Sequence, residues 1–142
     1  MNRGLKITLK SGERIYVNGA VLKMDRKVGV ELMNEATFLL EQHILQPEAA
    51  TSPLRQLYFM VQMMLIDPSL HARARDMAKE TIAALLATLS DKQIAAGLSD
   101  VSSLIDSDRP LEALKRLRAM YPLEAENMKA TALSAKVQQE VA

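Results

Sequence analysis

The stretch Gln46–Pro68 constrains this chain more than any other. Pro47 and Pro53 forbid continuous secondary structure across it, because a proline lacks the backbone N–H and restricts the residue before it. Ser52-Pro53 is an N-cap followed by proline at the first helical position. From Leu54 to Ile66 the apolar residues are too dense for a helix with one wet face, so the spacing predicts a helix buried nearly all round. Asp67-Pro68 closes it and opens the next element. The two sides of the junction carry different periodicities, two before it and 3.6 after it.

On the N-terminal side, Leu5, Ile7 and Leu9 alternate with Lys6, Thr8 and Lys10, and Ile15 and Val17 with Arg14 and Tyr16. Ser11-Gly12 supplies a turn, and Asn18-Gly19 is a strong two-residue hairpin signal because both central positions of a type I′ turn need positive φ. Strands are expected at Ala20–Met24, Val28–Met33 and Ala36–Leu40. Five short strands at this spacing suggest a small meander or a partly closed barrel that helices must cover.

On the C-terminal side, Leu70, Ala74, Met77, Ala78, Thr81, Ile82, Leu85 and Leu89 form an apolar stripe over about 69–89. Ser90-Asp91 caps a further helix that turns Ile94, Leu98, Val101 and Ile105 inward and carries Gly97 at some cost. Leu111, Leu114, Leu117 and Tyr121 line another, expected to end before Pro122. The last segment, with a thin stripe of Met128, Leu133 and Val137, has little to bury and should fray or dock on something. The fold class is α+β: an antiparallel β-module over residues 1–46 packed on an α-helical region of four to five helices over 47–142, with a tail from about 123.

Composition narrows the function. Nearly half of the 142 residues are apolar, enough for a real core. Cysteine is absent, the N-terminus lacks the apolar run of a signal peptide, and the segment Leu57–Ile66 is too short to span a bilayer. The expectation is a soluble, cytoplasmic protein. His43 and His71 sit at no metal-ligand spacing, the glycines are scattered, and no serine has a nucleophile-elbow context. Neither an enzyme nor a cofactor is expected. Net charge is +1, and residues 1–46 carry only seven cations against five carboxylates, a weak basis for nucleic-acid binding.

The segments Gly12–Ala20 and Thr51-Ser52-Pro53-Leu54-Arg55-Gln56-Leu57-Tyr58-Phe59 resemble the FlbT family of flagellin regulators, over about residues 5–70 and more weakly through the helices. The resemblance implies a post-transcriptional regulator acting at the 5′ leader of flagellin messenger RNA, working with a FlaF-like small protein or with flagellin. A homo-oligomer is compatible with it. Gly12–Val17, the hairpin and Val28–Ile44 are also similar in order to the CsrA-type messenger-binding β-proteins. Those carry an RNA-contacting arginine just after the last strand, where this chain has Glu41, so that site does not carry over.

Two mechanisms compete. In one, Lys6, Lys10, Arg14, Lys23, Arg26 and Lys27 on the wet β-face meet RNA phosphates, with Tyr16 stacking on a base. In the other the chain is a protein-interaction module that uses Arg55, Tyr58, Arg73 and Arg75, and Met60, Met63 and Met64 could line an adaptable groove or fill core. Bland pairings are available to the cations of the later helices, Arg73 with Asp76 and Glu112 with Arg116, with Lys115, Arg116 and Arg118 on a wet face. Arg55 is expected either to bridge to Glu41 or Glu48, its nearest carboxylates in the β-part and junction, or to stand open to an external anion.

Overall fold

The computed structural model describes residues 5–17, 20–34 and 38–141, and the side chains of Leu5 and of 130–141 lie outside that description. The fold is α+β: strands β1 (Leu5–Leu9), β2 (Arg14–Val17), β3 (Ala20–Lys23), β4 (Val28–Leu32) and β5 (Phe38–Leu40), then helices α1 (Pro53–Ile66), α2 (His71–Thr88), α3 (Lys92–Asp106) and α4 (Pro110–Val141).

The first four strands are not a meander. β1 pairs with β4 and β2 with β3, both antiparallel, and one register runs through both: Leu5 faces Leu32, Leu9 faces Val28, Arg14 faces Lys23 and Val17 faces Ala20. They are therefore the two arms of one long hairpin. Its tip at Asn18-Gly19 lies outside the described residues, although Val17 opposite Ala20 leaves room there for two residues only. The hairpin bends in the middle. Gly12 N donates to Met24 O (2.7 Å) and Met24 N to Glu13 O (3.0 Å), so the arms stay linked across the bend. Gly12 adopts φ +82°, which a glycine reaches without a Cβ clash. The turn expected at Ser11-Gly12 and the polar stretch Asp25-Arg26-Lys27 between two expected strands are thus the two sides of one bend, bridged by the Ser11 Oγ donation to Asp25 O (3.2 Å).

β5 adds to the other side of β2, with Tyr16 opposite Leu39, giving the order β3-β2-β5. Tyr16 and Leu39 share the face that packs on the helices. Leu9 and Ile15 are buried within the β-part but outside the helical core.

The core lies among the four helices. α1 is buried as its composition dictates: Leu57 and Val61 are fully enclosed, and of 54–66 only Gln56 is exposed. Met64 is core, and Met60 and Met63 pack against it, so these methionines fill space rather than line an open groove. On α2, Ala74, Ala78 and Ile82 turn in as expected, whereas Met77 stays 47% exposed, because the stripe is narrower than its apolar letters suggest. Asp91 Oδ1 caps α3 by accepting from Gln93 N and Ile94 N. Ile94, Leu98, Val101 and Ile105 then face α4 and the rest of the core.

α4 departs from expectation. It runs through Pro122 to Val141 instead of stopping before it. A helix-interior proline costs about 3 kcal/mol and strips one carbonyl of its intrahelical donor. Contacts beyond the proline offset that penalty: Leu123 packs against the core and Glu124 is 6% exposed. Local sequence favours a stop there, and tertiary anchoring overrides it. Among the described residues no helix is long and apolar enough to cross a membrane.

Candidate functional site

The family-like segment Thr51–Phe59 forms the start of α1, and polar groups converge there from three parts of the chain. Ser52 Oγ accepts from Arg55 N (3.3 Å) in the usual cap geometry. The same hydroxyl donates to Glu124 Oε1 (2.5 Å), and Leu54 N donates to Glu124 Oε2 (2.8 Å). A carboxylate from α4 thus occupies the N-terminus of α1, where unpaired N–H groups and the helix dipole favour an anion.

Arg55 completes this corner. Its Nη1 lies 3.8 Å from Glu124 Oε1 and its guanidinium sits over the Tyr121 ring at 4.3 Å. The expected bridge to Glu41 or Glu48 is therefore corrected: the partner comes from α4. Glu41 Oε2 instead accepts the main-chain N–H of Arg14 (2.9 Å).

One turn further on, Tyr58 is buried and tilted against Tyr121, with ring centroids 6.0 Å apart. Its hydroxyl donates to His43 O (2.6 Å) and accepts from Arg118 Nη1 (2.7 Å). Arg118 was expected on a wet face and is turned inward by this bond. Gln62, four residues on, accepts from Leu45 N (2.6 Å) and donates to Leu45 O (2.9 Å). Tyr58 and Gln62 together pin the segment 43–45, which links the strands to the helices. Burial first, then the neighbouring Tyr58, raises the Tyr121 phenol far above its ordinary range. The Tyr121 hydroxyl has no hydrogen-bond partner among the described residues.

His43 is pushed below the ordinary histidine pKa, by burial first and by the Arg118 charge second. The unfolded chain then takes up a proton before the folded one as pH falls from about 7 through 6.5. Stability is full above that window and declines within it. Thermal melts followed by circular dichroism should show the melting temperature falling between about pH 7 and 5.5, and His43→Gln should flatten that decline. An identical slope in the variant would remove His43 as the cause.

The basic residues of the β-part do not form a continuous cationic face. Lys6 lies opposite Glu31 in the ladder, and Arg26 holds Asp25 with two bonds of 3.1 Å. The main-chain N–H of Lys10 donates to Glu13 Oε1 (3.1 Å), which brings a carboxylate into this stretch without pairing the Lys10 ammonium. Lys27 is exposed in the bend, and Arg14 and Lys23 face each other across β2 and β3. Tyr16 is half-buried against the helical core, not spread on a wet surface. On the helices, Arg75 and Lys79 reach Asp106 (3.9 and 2.7 Å), Arg116 reaches Asp100 (3.4 Å) and Arg109 reaches Glu112 (3.2 Å). The expected pairs Arg73–Asp76 and Glu112–Arg116 are not formed, and Arg73 is exposed without an ion pair among the described residues. Sequence reasoning missed Glu124 and Tyr121 as site members. A glutamate two residues after a mid-helix proline was the available signal.

The chain is matched over residues 5–128 by the family model described as flagellar protein FlbT. It is 51% identical over 130 residues to a protein of Chelativorans sp. (strain BNC1) named probable flagellum biosynthesis repressor protein FlbT, covering 92% of this chain and 90% of that one. Proteins of the same name from Brucella ovis and Brucella abortus (strain 2308) are 51% and 50% identical over 124 residues, covering 87% of this chain and 82% of theirs. No solved structure matches the chain significantly. The chain belongs to the FlbT family.

Proposed function

We propose that this chain restrains flagellum biosynthesis by acting in the cytoplasm, after transcription, at the 5′ leader of flagellin messenger RNA. The observation that carries the regulatory reading is the family match over residues 5–128, together with relatives named probable flagellum biosynthesis repressors. The messenger-level step rests on the resemblance of Gly12–Ala20 and Thr51–Phe59 described above. Loss of the gene should alter expression of a flagellin-leader reporter driven by a constant promoter, with messenger synthesis unchanged. A purely transcriptional effect would overturn the reading.

A second reading has the chain reach the leader through a protein, a FlaF-like factor or flagellin itself, with no phosphate contact of its own. The inward packing of Tyr16 and the carboxylates interleaved with Lys6, Lys10 and Arg26 favour it. Fluorescence anisotropy with a labelled leader separates the two. Direct contact with about six phosphates demands an affinity loss on the order of a thousandfold between roughly 50 and 200 mM salt. Undetectable binding at the lower salt leaves the protein-mediated route.

A further inference from the structure

We propose that the free edge of β3 accepts an extended segment of an acidic partner protein as an added strand, an inference that rests on the protein-mediated reading. β3 pairs with β2 on one side, and no described strand lies on the other. All four of its residues are exposed. Val21 and Leu22, which point to opposite faces, are 55% and 47% exposed. An edge with bare N–H and C=O groups and apolar side chains on both faces is a template for another strand. β3 contains no proline, and its one charge is Lys23 at the end.

Charge selects the occupant. Arg14 and Lys23 are direct cross-strand partners on one face, both exposed, and neither has an ion pair among the described residues. Like charges placed opposite each other repel. A carboxylate arriving beside Lys23 relieves that repulsion. The next residue of the incoming strand then meets Leu22 on the far face, and the one after it meets Val21. The recognised pattern is acidic, apolar, apolar. A second copy of this chain fits worse: with Leu22 on its own counterpart, each Lys23 falls opposite Val21, and both Arg14–Lys23 pairs crowd one face of the joined sheet. RNA phosphates would answer the two cations but offer nothing to Val21, Leu22 or the open amides.

The probe is a fluorescein-labelled peptide of Glu-Ile-Val repeats, titrated against the full chain by anisotropy. Three controls accompany it: the peptide with alternate amides N-methylated, the peptide with Lys in place of Glu, and the Leu22→Lys variant. Saturable micromolar binding is expected, weakened roughly tenfold or more by each control, with the circular dichroism of Leu22→Lys unchanged because the position is exposed. No saturable binding of the Glu peptide, or equal binding of the N-methylated one, overturns the proposal. So does a dimer in sedimentation that Leu22→Lys dissolves, which would assign the edge to a second copy, or a poly-uridine oligonucleotide that binds where the peptide does not. If the peptide binds as expected and Leu22→Lys leaves a flagellin-leader reporter unchanged in the cell, the strand site stands and the protein-mediated reading falls.

Discussion

Glu124→Ala is expected to lower stability by about 3 kcal/mol, the range for breaking a buried charged pair and leaving its partners unsatisfied. For a chain of this size that is a fall in melting temperature of roughly 8–12 °C. The carboxylate accepts from Ser52 Oγ and Leu54 N and is 6% exposed. Its removal strands a hydroxyl and an amide at a helix end with no replacement in sight. Arg55 contributes less. Its side chain is 36% exposed and 3.8 Å from the carboxylate, so Arg55→Ala should cost about 1 kcal/mol, mostly from its stacking on Tyr121. Glu124→Gln keeps an acceptor for Leu54 N and should fall between the two. Urea denaturation of the four proteins, wild type included, checks the order. A Glu124→Ala variant within about 0.5 kcal/mol of wild type, the range of ordinary surface changes, would mean that the carboxylate does not hold α4 to α1.

The second large effect belongs to Gly97. Helix propensity alone says that Gly97→Ala should gain about 1 kcal/mol in the middle of α3. The packing says the reverse. A Cβ on Gly97 would collide with Met120 Sδ, and Met120 is fully buried, with no solvent side to retreat to. Overpacking of this kind costs about 1–3 kcal/mol, so, set against that gain, a net loss of up to about 2 kcal/mol is expected for Gly97→Ala and about 3 for the bulkier Gly97→Val. The clash is with one side chain. Met120→Ala costs stability alone by leaving a cavity, yet paired with Gly97→Ala it should recover part of the loss, giving a strongly non-additive cycle. A stabilised Gly97→Ala protein would show that α3 and α4 can part at this crossing without penalty.

The elements that were legible in sequence are those specified within a few residues. Ser52-Pro53 and Asp91 start helices because the cap and its acceptor geometry are local, and Ile94, Leu98, Val101 and Ile105 turn inward because their spacing leaves no other face. What was misread depended on distant partners. Pro122 carries a local stop signal, which loses to contacts made by Leu123 and Glu124 with parts of the chain far away. Glu124 opens a segment rich in Ala, Lys and Gln and looks solvated until α1 supplies its donors. Arg118 reads as one of three wet cations until Tyr58 claims it. In the β-part the Ser11-Gly12 turn was correctly placed, but nothing short-range says that it and the stretch Asp25-Arg26-Lys27 are opposite sides of one bend rather than successive corners.

The bond between Ser52 and Glu124 closes a loop of 72 residues, and that separation sets a timetable for the chain as it is made. At about 5–20 residues per second of synthesis, roughly four to fourteen seconds pass between the appearance of the two ends. During that interval α1, the most apolar helix of the chain, is present without the carboxylate that completes its first turn and without the α4 residues that cover it. The nascent protein therefore carries its stickiest segment only partly covered, by the β-part and α2, until the last helix emerges, and the ribosome-bound form presents a different surface from the finished one.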